Sequence, residues 1–159
     1  MGKLFGRLRW KPLLISVLIA FLAGLIGFIL SRAGMDEFHM ANQPSWAPPD
    51  WVFPVVWSIL YLLMGVSAAI VYQSGSDGVG EALRVYLLQL VLNVGWSAVF
   101  FGFRLYLAAF LWLLVLIAAI IVMIVRFYRV DRTAAYLQLP YLAWCLFASA
   151  LNLAIVLLN

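Results

Sequence analysis

Five long apolar runs, separated by short polar or basic stretches, set the frame of the chain. They cover about residues 13–30, 51–72, 81–101, 106–126 and 134–158. Each is close to the roughly 20 residues that an α-helix needs to cross a bilayer. The connections carry the polar residues. The longest, 31–50, holds Arg32, Asp36, Glu37, His39 and Asp50. Residues 73–80, Gln-Ser-Gly-Ser-Asp-Gly-Val-Gly, read as a flexible turn. Gly102 to Leu105 reads as a tight turn, and Arg126, Arg129, Asp131 and Arg132 mark a basic loop. The pattern predicts an all-α, polytopic membrane protein: one domain over residues 1–159, folded as a five-transmembrane-helix bundle.

Lys3, Arg7, Arg9 and Lys11 precede the first run. That is the layout of a signal peptide, but the run is longer than a signal core and the chain after it stays apolar, so it reads as a retained helix. Ser16, Ala20, Gly24, Gly27 and Ser31 give that helix one small-residue face, suited to close helix packing. Pro140 removes a backbone donor and predicts a bend in the fifth helix.

Composition agrees with the pattern. Of 159 residues, 67% are hydrophobic and 10% charged, more apolar surface than a soluble domain of this length can hide. One cysteine excludes an internal disulfide, and one histidine excludes a histidine-rich metal site. The net charge of +4 lies mostly at helix ends and reads as topology rather than nucleic-acid binding. Lys3, Arg7, Arg9, Lys11, Arg84, Arg126, Arg129 and Arg132 fall on one side; Arg32 and Arg104 fall on the other. In a bacterial-type inner membrane this predicts a cytoplasmic N-terminus, with the 31–50 loop and the C-terminus outside.

Candidate chemistry lies in the polar and aromatic groups at bilayer depth, which are costly there unless partnered. Gln89, Asn93 and Ser97 form one face of the third helix, flanked by Trp96 and Phe100. Tyr141, Trp144, Cys145, Ala148 and Asn152 share a broad face of the fifth. Phe53, Trp57 and Tyr61 recur every four residues on the second, which puts three rings on one face. Counted from the outer helix ends at about 1.5 Å per residue, Trp57 and Asn152 lie roughly 9 Å deep. Asn93 lies roughly 12 Å deep, and Tyr61 and Ala148 roughly 15 Å. These groups are therefore expected at one level, with Trp144 somewhat deeper and the 31–50 loop above. Such an aromatic cup with a few polar anchors is the make-up of a small-molecule site. The same residues are equally those of ordinary helix packing. His39 reads as a solvated histidine and Cys145 as a small buried apolar residue.

Three strings narrow the choice. The first is Pro44-Ser45-Trp46-Ala47-Pro48-Pro49-Asp50-Trp51-Val52, continuing to Trp57, Leu60 and Tyr61. The second is Gln89-Leu90, Asn93, Trp96 and Phe100-Phe101-Gly102. The third is Pro140-Tyr141-Leu142-Ala143-Trp144, Phe147-Ala148 and Leu151-Asn152. Together they resemble, in order, the loop-and-second-helix, third-helix and fifth-helix signatures of the TspO/translocator protein family, the tryptophan-rich sensory proteins or peripheral-type benzodiazepine receptors. The resemblance implies a ligand pocket in a five-helix bundle. It places Trp46, Trp57, Tyr61, Gln89, Asn93, Trp96, Phe100, Trp144, Ala148 and Asn152 at or near it. It implies tetrapyrrole ligands such as protoporphyrin IX or haem, no required cofactor, and a homodimer. Transport, sensing or scavenging of the tetrapyrrole is the first functional reading. A photo-oxidative, porphyrin-degrading enzyme with Trp57 and Trp144 beside the ring is the second. A structural or partner-binding membrane protein is the third.

The chain also departs from the family's pattern. Glu37, Phe38 and Gln43 stand where the family often carries Trp-Tyr and, before the proline, Lys. After Asn152 come Leu153-Ala154-Ile155-Val156-Leu157-Leu158-Asn159, without the tyrosine and basic residue of the animal sterol motif. Sterol binding by that motif is not supported.

Overall fold

With no water to satisfy a bare backbone, an apolar chain of this kind closes its hydrogen bonds within helices. The computed structural model describes residues 8–35, 40 and 42–159. Lys3, Arg7, Asp36, Glu37, Phe38 and His39 lie outside the described residues. α1 is Trp10–Ser31, followed by a 3-10 turn, Arg32–Gly34. α2 is Val52–Gln73. α3 is Val79–Ser97 and runs on into a π-helical turn, Ala98–Gly102. α4 is Tyr106–Val130. The fifth span is divided into α5, Arg132–Tyr136, and α6, Leu139–Leu158. All five spans are long and apolar enough to cross a membrane.

The predicted runs and the helices agree, and the differences have local causes. Arg104 takes a left-handed φ of 58°, which reverses the chain between the π turn and α4. Phe103 N donates to Ala98 O at 2.9 Å and Leu105 N to Val99 O at 3.2 Å, so the widened turn keeps its backbone bonded. In the fifth span a break replaces the expected bend. Asp131 caps α5 by accepting from Ala134 N at 2.9 Å. The span is interrupted at Leu137 and Gln138, and Pro140 then sits in the first turn of α6. There its missing N–H removes no helical hydrogen bond.

Three sets of contacts fix the up-and-down topology. At the N-terminal end of the bundle, Arg9 N donates to Gln73 Oε1 at 2.7 Å, and Arg126 pairs with Glu81 at 2.6 Å. Closer to that end than to mid-height, Ser67 Oγ on α2 donates to Ala134 O on α5 at 2.7 Å. At the far end, Asn42 N donates to Asn159 Oδ1 and Asn159 Nδ2 to Asn42 O, both at 3.0 Å.

Close approaches decide which helices touch. α1 packs on α2 and α3. Gly65 of α2 lies against the Val17 backbone: an added Cβ would come within 2.5 Å of Val17 Cα. Gly24 lies against the Tyr61 ring, and Gly27 against Ser97 and Val94 of α3. The small-residue face of α1 is therefore spent inside the bundle, with Ala20, Gly27 and Ser31 buried. The opposite side of α1, including Leu18 and Leu22 at 57% exposure, faces outward. Between α3 and α4, Gly95 makes room for Trp112, whose Nε1 donates to Leu92 O at 2.8 Å.

Candidate functional site

The side chains singled out from the sequence fall into three neighbouring groups rather than one. In the first, Phe53 of α2 meets Trp144 of α6 edge-on, ring centres 5.9 Å apart. Trp144 contacts Phe147 at 5.3 Å, and Trp46, reaching up from the loop, meets Phe147 edge-on at 5.9 Å. In the second, Trp57 stacks on Tyr61 at 5.4 Å and meets Tyr141 edge-on at 6.2 Å. Asn93 Nδ2 donates to Tyr61 Oη at 3.2 Å, and Tyr141 Oη donates to Gln89 Oε1 at 2.9 Å. In the third, Trp96 stacks on Phe100 at 5.3 Å, and Phe100 contacts Tyr106 at 5.2 Å. Asn152 Nδ2 donates to Tyr106 O at 2.9 Å and so belongs with this last group. Ala148 is half-buried on α6 between Trp144 and Asn152.

The register between α2 and the fifth span differs from the expected common level. Ser67 meets Ala134, Trp57 meets Tyr141 and Phe53 meets Trp144. These pairs run antiparallel, so α2 begins beside Trp144. Ala148 and Asn152 lie beyond the end of α2, where residues of the 42–50 loop take over as neighbours of α6. Depth counting assumed that all helices end in one plane, but α6 continues about three turns past the level at which α2 starts. The end of the bundle that carries the 42–50 loop is thus part helix and part loop.

The interior is polar as well as aromatic. Gln89, Asn93 and Asn152 are almost fully buried, each no more than 1% exposed. Among the described residues, Tyr86 Oη, Gln89 Nε2, Asn93 Oδ1, Trp96 Nε1 and Asn152 Oδ1 have no hydrogen-bond partner. Neither do the two side-chain polar atoms of Gln138. A buried polar atom left unbonded costs about 1–3 kcal/mol. Gln89, Asn93, Trp96 and Asn152 carry these unbonded atoms within the second and third ring groups. Tyr86 and Gln138 escaped the sequence reading. Tyr86 stands three residues before Gln89 on one face of α3, and Gln138, at the break before α6, stands three residues before Tyr141; that spacing was the available signal.

A groove of about 420 Å³ runs between α2 and α6, lined by Val56, Ile59, Leu60, Pro140, Ala143, Trp144 and Phe147. That volume falls within the range of small-molecule sites. Of the expected site residues, Trp144 stands on its wall. The α2 and α6 backbones scarcely approach one another. Among the described residues no hydrogen bond joins these two helices, so their seam is closed by side chains alone.

Comparison with known proteins agrees with the strings that first drew attention. The TspO/MBR family model matches residues 15–158. The "Tryptophan-rich protein TspO" of Chlorobaculum tepidum is 43% identical over 119 residues, covering 74% of this chain and 75% of that one. Its namesake in Archaeoglobus fulgidus is 36% identical over 92% of this chain and 96% of its own. The human "Translocator protein" is 34% identical over 90% of this chain and 87% of its own. Five membrane-length helices and these matches lead to one conclusion: the chain belongs to the TspO/MBR family and is a multi-pass membrane protein.

Proposed function

We propose that the protein binds a porphyrin or haem-type tetrapyrrole among the aromatic groups of α2, α3 and α6, and acts in its transport, sensing or scavenging. The observation that carries this reading is the aromatic wall between α2 and α6, where Phe53 meets Trp144 and Trp57 meets Tyr141 beside an apolar groove. A flat apolar macrocycle is matched by ring faces, each aromatic contact contributing about 0.5–1.5 kcal/mol beyond burial. The unpartnered N–H groups of Gln89 and Trp96 offer hydrogen bonds to ring nitrogens or carboxylates. Trp46, packed on Phe147, brings the loop over the same wall. The charge bias supports a cytoplasmic N-terminus, with the loop on the outer face. With the small face of α1 occupied, a homodimer would use the outward faces of α3 and α4.

The test is titration of detergent-purified protein with protoporphyrin IX, followed by tryptophan fluorescence in the dark and in light, beside a Trp57→Phe/Trp144→Phe variant. Saturable quenching at one ligand per chain, weakened in the variant, supports the pocket. Identical, non-saturating quenching of both proteins would mean that the porphyrin only partitions into detergent, and the reading would fall. New absorbance bands that need both light and the wild-type tryptophans would move the assignment to the degrading enzyme.

A further inference from the structure

A second groove, of about 310 Å³, lies at the opposite end of the bundle. Its walls are Pro12, Ile15, Ser16 and Ile19 of α1 and Leu83, Tyr86 and Leu87 of α3, and its floor is Ala68 and Tyr72 of α2. It exists because α1 and α3 touch near one end and part toward the other. Gly27 meets Ser97 and Val94, and Gly34 meets the Phe101 backbone, but about two to four turns before Gly27 on α1 the floor of α2 shows between the two helices.

Two cations stand near the groove, while Asp77 lies in the α2–α3 turn at the same end and Glu81 is paired with Arg126. Lys11 shares the outward side of α1 with Ile15 and Leu18, at the i+4 and i+7 spacings of one helix face. Arg84 shares the outward side of α3 with Leu88 and Val91 by the same spacing. Lys11, its Nζ 5.6 Å from the Trp10 ring centre, thus stands one turn before the wall residue Ile15, and Arg84 one turn before the wall residue Leu87. Tyr72, one residue from the end of α2 and 56% exposed, puts a hydroxyl on the floor at the same end. Below this polar mouth the lining is almost wholly apolar, running along Ile15, Ile19 and Leu87 toward mid-membrane.

We infer that this α1–α2–α3 groove is a binding site for an anionic phospholipid of the surrounding leaflet. One acyl chain lies along the apolar walls, and the phosphate sits between Lys11 and Arg84 within reach of the Tyr72 hydroxyl. Charge complementarity selects the anionic head group. Basic mouths between transmembrane helices are the setting in which such head groups are held. The site is separate from the aromatic wall, since no residue lines both grooves. It does not depend on what that wall binds.

The experiment uses the full chain in detergent, incubated with equal amounts of phosphatidylglycerol and phosphatidylcholine of matched acyl chains. Retained lipid is counted by mass spectrometry of intact complexes. The expected result is one phosphatidylglycerol per chain, retained in preference to phosphatidylcholine. The preference should fall about fivefold for K11Q or R84Q and about thirtyfold for the pair. R129Q, which removes a charge at the same end of the bundle but away from the groove, should keep it. L87W fills the groove from a half-exposed wall position without disturbing the core, and should abolish retention. Equal retention of both lipids by the wild-type chain would overturn the inference. So would equal losses in R129Q and the K11Q/R84Q pair, since attraction would then be a diffuse field. Undiminished retention in L87W would place the lipid elsewhere and overturn it too.

Discussion

The ring of Tyr61 lies directly on Gly24, and a β-carbon added there would overlap its Cε2 and stand 2.8 Å from its Cδ2. The same tyrosine accepts a hydrogen bond from Asn93 and stacks on Trp57. One glycine on α1 thus sets the position of a candidate binding residue on α2. Gly24→Ala should push Tyr61 aside, at an overpacking cost of about 1–3 kcal/mol. Melting temperature in detergent should fall, and porphyrin quenching should weaken with it. Adding Tyr61→Ala should recover part of the lost stability but none of the binding. If G24A and Y61A prove simply additive, the contact is not the cause.

Gly65 and Gly80 offer an opposed pair. At Gly65 a β-carbon meets the Val17 backbone, which cannot swing away as a side chain can. Gly65→Ala should therefore part α1 from α2 and cost more stability than Gly24→Ala. At Gly80, in the first turn of α3, nothing lies within 4 Å. Gly80→Ala should be neutral or stabilising by up to about 1 kcal/mol, through reduced freedom of the unfolded chain. Thermal unfolding of the two variants side by side checks the ordering.

Asn159 holds the loop down through its reciprocal bonds with Asn42. Asn159→Ala should free the loop without loosening the helices. Amide hydrogen exchange over residues 42–47 should quicken, and exchange within α2 and α6 should stay unchanged. Faster exchange spread through α6 would instead mean that the clasp supports the bundle.

Much of this architecture was legible in the chain. Five apolar runs gave five spans, because helix formation in lipid is decided by length and apolarity more than by detail. The aromatic spacing of Phe53, Trp57 and Tyr61 correctly implied one face. What could not be read was the relative height of the helices. Trp57 stands opposite Tyr141 rather than Ala148 or Asn152, because α6 overshoots the start of α2 and the loop fills the difference. The break at Leu137 and Gln138 was hidden for a related reason. Pro140 marks irregular backbone, but whether a helix bends or stops depends on what caps its neighbours, here Asp131 on Ala134. The inward use of the small α1 face was likewise a matter of partners, since Gly24 and Gly65 find theirs on α2 and α1.

Asn93 and Asn152 are both buried amides with one bonded and one unbonded end, yet they should respond differently to leucine. Asn93 Nδ2 reaches a tyrosine hydroxyl that can turn to another acceptor, and its Oδ1 has no partner. Leucine removes the unbonded Oδ1, whose burial costs about 1–3 kcal/mol, against the loss of one hydrogen bond worth about 0.5–1.5 kcal/mol. Asn93→Leu should therefore keep or raise the melting temperature while weakening porphyrin quenching, the mark of a polar group kept for a ligand. Asn152 Nδ2 bonds the Tyr106 carbonyl and so ties α6 to the first turn of α4. Asn152→Leu should lose about 0.6 kcal/mol or somewhat more, the usual worth of such a bond between membrane helices. Melting curves and quenching titrations of the two variants separate the cases. A lowered melting temperature with unchanged quenching in N93L would assign Asn93 to packing instead.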